Sequence, residues 1–207
     1  MLKIWIVVAL LLASAGVTPC FAGEAAKKRW EQMEYGPLVS GTFHITNDKL
    51  AAEDYKKPFD CVMKGLIVRL SKDKQAYLCY DEETLRVAGA WSGAFIDFNG
   101  TIYNGEHHAQ PRNKAPLTFS TKHGPGWAKD GSFADPRKEP NGPLPAEWAK
   151  YKGLYMNGEK VILSYTAGDC AVLETPGVVF VGEVPIFTRA LNVAASAKPM
   201  KILICEI

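Results

Sequence analysis

The chain lacks the short motifs that name a reaction. Its cysteines form no Cys-x-x-Cys and no Cys-x-x-Cys-His, which removes thioredoxin-type exchange and covalent haem attachment. No His-Glu-x-x-His and no Gly-x-Ser-x-Gly is present, so neither a zinc-protease helix nor a nucleophile elbow is written into it. Gly124-x-Gly126 neither follows a strand pattern nor opens a helix, so it is not a phosphate-binding loop. Charge of one sign is also lacking: 24 Lys and Arg face 22 Asp and Glu, a formal net charge of +2. A nucleic-acid binder needs a basic stripe to displace counterions, and none is seen. Long helical periodicity is missing, which excludes a helix bundle.

Long apolar runs are scarce after the first. A membrane helix needs roughly 20 apolar residues, and nothing beyond residue 22 approaches that. The exception opens the chain. Met1-Leu2-Lys3 carries one positive charge, Ile4 to Val17 is apolar except for Ser14 and Gly16, and Cys20-Phe21-Ala22 precedes polar Gly23-Glu24. Charge, short apolar core and small residues in that order predict a secretory signal over residues 1–22, cleaved after Ala22. Pro19 directly before Cys20 argues against a lipoprotein signal. The expected location is the periplasm or the extracellular space, with no membrane span after cleavage. The remainder, roughly 185 residues, suits one domain with its own core. A short helix or linker is expected over residues 23–34 and a single β-rich domain over 35–207. Cys61, Cys79, Cys170 and Cys205 remain. They are disulfide candidates in an oxidising compartment, or small buried hydrophobes in apolar strands.

What the sequence has in plenty is short β-rich runs broken by turn pairs. Strands are expected at 38–46, 64–70, 75–81, 84–91, 94–98, 153–156, 160–166, 170–174, 186–193 and 200–206. Lys72-Asp73, Asn99-Gly100, Asn157-Gly158 and Gly168-Asp169 separate them, and Asn157-Gly158 is the clearest hairpin signal. The pattern predicts a mainly β fold, an antiparallel β-sandwich, with a barrel-like sheet as the alternative and one or two short helices. A weak internal echo supports two similar sheets. Lys64-Gly65-Leu66 leads to a middle run ending in Tyr80, and Lys152-Gly153-Leu154 leads to one ending in Tyr165. Between Tyr103 and Pro145 the strand pattern stops. A loop over 104–145, dense in Gly, Pro, His and charge, is expected to be ordered through Phe119, Trp127 and Phe133. It closes in a single helical turn at Pro145–Lys150.

Several fragments, taken together, resemble a known family. They include Met33-Glu34-Tyr35-Gly36-Pro37, Asp97-Phe98-Asn99-Gly100, Gly124-Pro125-Gly126-Trp127-Ala128, Gly131-Ser132-Phe133-Ala134-Asp135-Pro136-Arg137 and Phe187-Thr188-Arg189. From about Tyr35 to Val193 the set is similar to an uncharacterised domain, a domain of unknown function, found near the N-terminus of large secreted bacterial proteins. Those proteins often carry c-type cytochrome or haem-binding domains and sugar-dehydrogenase-like propellers. The resemblance implies a context and no chemistry. This chain departs from it in ending at Ile207 without a haem-binding module.

Candidate residues cluster in and around the long loop. Asp97 and Glu106 are the candidate catalytic carboxylates, since a glycosidase needs two carboxyls roughly 5–10 Å apart. Trp91, Tyr103, Asn104, His107, Arg112 and Trp127 are the ligand-binding candidates: aromatic faces stack on sugars, and the polar groups bond hydroxyls. Trp148 flanks the same loop. His107 and His123 are the metal candidates, while His108, next to His107, points the other way in extended chain. No cofactor is expected. The leading expectation is a non-catalytic accessory or binding domain of a secreted carbohydrate or redox system, whose partner is a glycan or a secreted haem protein. The alternatives are a carbohydrate-active or metal-dependent hydrolase with its site in the loop, and a structural module docking on a c-type cytochrome.

Overall fold

The computed structural model describes residues 32–47, 61–98, 110–139 and 142–205. The expected export signal with Cys20, residues 24–31 of the short helix expected over 24–34, and the loop residues Tyr103, Asn104, Glu106, His107 and His108 lie outside these residues. The described residues from Glu34 onward form one compact unit, and that unit is mainly β, as the short alternating runs require.

Among the described residues eleven strands build two sheets. In chain order they are β1 (Leu38–His44), β2 (Cys61–Ser71), β3 (Ala76–Asp81), β4 (Arg86–Ser92), β5 (Ile96–Asp97), β6 (Arg112–Asn113) and β7 (Leu117–Ser120), then β8 (Ala149–Asn157), β9 (Lys160–Ala167), β10 (Cys170–Val181) and β11 (Val184–Val193). The first seven form one sheet in the order β5-β6-β1-β2-β3-β4-β7, and the last four an antiparallel sheet in the order β11-β10-β9-β8. The fold is the mainly β two-sheet arrangement expected, with features of both the sandwich and the barrel-like alternative. His44 of β1 pairs in parallel with Arg112 of β6, so the larger sheet is mixed, and it curls into a half-barrel.

That curl explains why β3 is buried at all six positions. One face of the sheet, with Leu66, Val68, Leu78, Tyr80 and Val87, meets Val161, Leu163, Tyr165 and Val172 of the second sheet in the main core. The two echoed tyrosines meet there, with ring centroids 6.2 Å apart. The other face closes on itself: Tyr77 packs on Trp91 and Phe95, with centroids 5.8 and 5.0 Å away.

The second sheet is held by three two-residue hairpin loops of one composition, Gly158-Glu159, Gly168-Asp169 and Gly182-Glu183. Each glycine sits near φ +60° (60, 55 and 62°), while the acidic residue after it keeps a negative φ. That is the type II′ pattern, which puts glycine first and matches strand twist. Asn157 is therefore the last residue of β8, and the turn is one residue later than the Asn-Gly reading placed it.

A proline decides where this sheet ends. The closing pair of a two-residue hairpin exchanges hydrogen bonds, so alternate residues from Cys170 face β9. Pairing runs from Cys170↔Ala167 to Glu174↔Leu163 and stops. The next β9-facing position is Pro176, which has no N–H to donate. Beyond it β10 and β11 continue together as a two-stranded ribbon to Val181↔Val184. One ribbon face lies on the first sheet through Phe187 against Phe119 (5.7 Å) and Phe180 under Lys74 Nζ (5.6 Å). The other leaves Val179, Val181, Val184 and Ile186 exposed.

Two further differences from the sequence reading concern the long loop and the C-terminus. The segment expected to be strand-free contains β6 and β7. The expected strand over Met200–Glu206 is a single bridge, Ile202 to Trp127. Pro145 does open one helical turn, its carbonyl accepting from Trp148 N (2.7 Å) and Ala149 N (3.1 Å). Among the described residues no helix is long and apolar enough to cross a membrane.

Candidate functional site

The long loop is built onto the β3–β4 turn. Asp81 begins that turn by accepting from Glu83 N (3.0 Å), Thr84 Oγ1 (2.7 Å) and Arg86 Nε (3.3 Å). Arg86 then donates to the Thr121 carbonyl at 2.7 Å. Leu85, buried at 1 % exposure, takes the left-handed conformation (φ 56°). Gly126 lies against it: its N–H donates to Thr84 O at 2.8 Å, and a Cβ on Gly126 would sit 2.0 Å from the Leu85 carbonyl oxygen. Farther along, Arg137 clamps Asp135 (2.7 Å) and donates to Gly142 O, while Gly142 N donates to Glu83 at 3.0 Å. The hydrogen bonds from Arg137 lower the pKa of Asp135.

A second polar network lies in the main core. Glu174 is 1 % exposed and pairs with Arg189 through both of its oxygens. Tyr165 Oη donates to Glu174 Oε2 at 2.6 Å, and Trp127 Nε1 donates to Tyr165 Oη at 3.2 Å. Burial opposes the Arg189 charge, but its bonds to Glu174 outweigh that and raise its pKa. Tyr80 Oη lies within electrostatic reach of Glu174 and Tyr165 without completing a well-formed hydrogen bond. Arg189 also donates to Leu203 O at 2.8 Å, which ties the C-terminal segment to the core. Leu203 N donates to Gly126 O (2.9 Å), and Ala128 N to Lys201 O (3.0 Å).

These anchors shape a pocket of about 490 Å3 at the end of the second sheet. One wall is the Lys129-Asp130-Gly131-Ser132 turn, closed by reciprocal Lys129 and Ser132 backbone bonds of 3.0 Å. Asp130 (φ 50°) and Gly131 (φ 83°) give it the type I′ form that an Asp-Gly pair favours. The β9–β10 turn, Gly168-Asp169, makes a second wall with Cys170, and Glu147-Trp148 a third. The fourth is the stretch Ala195–Met200. It is held at one end by Ala194 N on Ala171 O (2.9 Å) and at the other by the Lys201 and Leu203 bonds. Lys198 of that stretch reaches Asp130 across the pocket at 3.5 Å. The Lys129 ammonium stands 5.8 Å from the Trp148 ring centre. Trp148 is fixed by its own Nε1 donating to Trp127 O at 2.8 Å.

The candidates read from the sequence are not brought together here. Trp91 has 0 % exposure and donates from Nε1 to Ala94 O (2.8 Å) and Phe95 O (3.0 Å). Trp127 is 4 % exposed. Both rings are core and offer no stacking face. Asp97 is ion-paired with Arg112 at 3.4 Å, across β5 and β6, where the pair fixes two short strands. His123 is half-buried on the loop, its pKa lowered by burial and then by the Arg86 charge. Among the described residues no three His, Cys, Asp or Glu side chains group as a metal site. All four cysteines here are free. Cys79 is buried inside β3 and Cys205 exposed; burial raises the Cys79 pKa and pushes that of Cys61 up to about 11. Cys170 donates to Ala195 O at 3.4 Å. The pocket residues missed in the sequence carried one usable signal, the Asp130-Gly131 turn pair inside the loop.

No curated protein and no solved structure matches the chain. The resemblance expected from Tyr35 to Val193 is found over a narrower span, from β3 into β10, which includes every wall of the pocket except Ala195–Met200. Over residues 78–174 the chain carries a match to the family described as Domain of unknown function (DUF6797).

Proposed function

We propose that this chain is a secreted accessory domain of a bacterial carbohydrate or redox system, and that it binds a glycan without turning it over. The observation that carries the reading is the pocket between the Lys129–Ser132 turn, the β9–β10 turn and Ala195–Met200. Its volume falls within the range of about 300–1,000 Å3 common to small-ligand sites. Its walls combine carboxylates and ammonium groups with a largely buried indole, which suits a ligand with many hydroxyls. The signal-like order of residues 1–22 and the resemblance to a domain of secreted bacterial proteins support the location.

Thermal melting of the protein against a panel of oligosaccharides tests the reading. A ligand that binds only the folded state adds about 2.7 kcal/mol at 100 times its Kd, a rise of a few degrees in Tm. The expected result is a rise with at least one glycan, reduced in Asp169→Asn, and no new reducing ends on prolonged incubation. A flat panel, or hydrolysis of any member, overturns it.

A further inference from the structure

We infer that the glycan this pocket takes is one bearing free amino groups, a cationic amino sugar in place of a neutral or N-acetylated one. The inference rests on the glycan-binding reading above and deepens it. The pocket already contains two ammonium groups and partners both. Lys129 Nζ lies over the Trp148 ring, 5.8 Å from its centre, a cation–π arrangement. Lys198 Nζ meets Asp130 Oδ1 at 3.5 Å. Both are side chains of the pocket wall, so both of its own cations are spoken for. The carboxylates outnumber them. Glu147 and Asp169 also line the pocket, and neither side chain has a hydrogen-bond or ion-pair partner among the described residues.

The Trp148 ring is held from behind by its bond to Trp127 O, and Asp169 is held by a two-residue hairpin loop. The pocket therefore presents two unpaired acceptors on different chain segments, beside an indole that is itself only 7 % exposed. A neutral sugar can use those acceptors through its hydroxyls. An amino sugar adds charge to the same hydrogen bonds, which makes them shorter and roughly twice as strong.

Isothermal titration with three probes reads the inference: oligomers of glucosamine, the matching N-acetylglucosamine oligomers and cello-oligosaccharides, at a pH where the free amine is protonated. The expected result is at least a tenfold preference for the glucosamine oligomer. The preference should fall with added salt, and the double variant Glu147→Gln/Asp169→Asn should remove it while keeping the wild-type Tm. Equal affinity for all three probes overturns the inference and leaves glycan binding standing. A preference that survives in the double variant also overturns it. Binding of none of the three at millimolar concentration defeats both this inference and the reading beneath it.

Discussion

Gly126 leaves no room for a side chain beside Leu85: a Cβ built on it would stand 2.0 Å from the Leu85 carbonyl oxygen. Backbone, and no flexible side-chain end, stands in the way. The same glycine bonds to Thr84 on one side and to Leu203 on the other, so the β3–β4 turn, the long loop and the C-terminal segment meet at one residue. Gly126→Ala should cost about 3 kcal/mol, the upper part of the usual overpacking range, because backbone has to move. Urea unfolding measures it. Gly41→Ala is the control: its Cβ would meet Phe43 at an ordinary 3.4 Å, and its effect should stay within about 0.5 kcal/mol.

The Glu174–Arg189 pair should behave as a buried pair whose halves need each other. Glu174→Leu or Arg189→Met alone strands one charge in the core, at a cost of about 3–5 kcal/mol. The double variant Glu174→Leu/Arg189→Met should recover a large part of that loss. Losses in the double variant equal to the sum of the two single ones would show that the residues do not act as a pair.

Acid should weaken the protein partly through His123. Burial holds its folded-state pKa below the ordinary value of 6.5, so the unfolded chain takes up the proton first. Stability is then full above pH 6.5 and declines as pH falls below it towards the folded pKa. In Tm measured from pH 7.5 to 5, His123→Gln should show a shallower decline than the parent. Asp135 acts in the same direction at lower pH, since its depressed pKa makes its contribution fade as pH falls through the folded value.

Thiol labelling separates the four described cysteines by environment. Cys205 should react with a thiol reagent at once and Cys61 slowly, its pKa being pushed up to about 11. Cys79 and Cys170 should react only on unfolding. All four should label in denaturant without reductant. A pair that labels only after reduction would be a disulfide and would contradict the free thiols.

Much of the fold is legible in the sequence. β9 shows why: Val161, Leu163, Tyr165 and Ala167 alternate with less buried residues, the period of a strand with one face in the core. Three misreadings have distinct physical causes. β6 is two polar residues, Arg112-Asn113, with no apolar alternation to detect. The far half of β10 lies beyond the strand expected over 170–174, because Pro176 ends only the pairing with β9 and leaves that with β11 intact. Ile202 and Ile204 alternate like a strand, yet a single bridge to Trp127 is all they form. Trp91 could not be told from a ligand-facing aromatic, because its burial comes from the curl of the whole sheet. The pocket was least legible of all, since its walls come from four segments between residues 128 and 200.

The central claim is that this pocket is where the domain holds its ligand. Backbone amide chemical-shift mapping tests it most directly, using the oligosaccharide that raises Tm most. The account predicts saturable shifts centred on Lys129, Gly168, Asp169 and Lys198, with the sugar unchanged at the end of the titration. Shifts centred instead on the Asp97–Arg112 pair, shifts scattered over the sheets, or a cleaved sugar would contradict it.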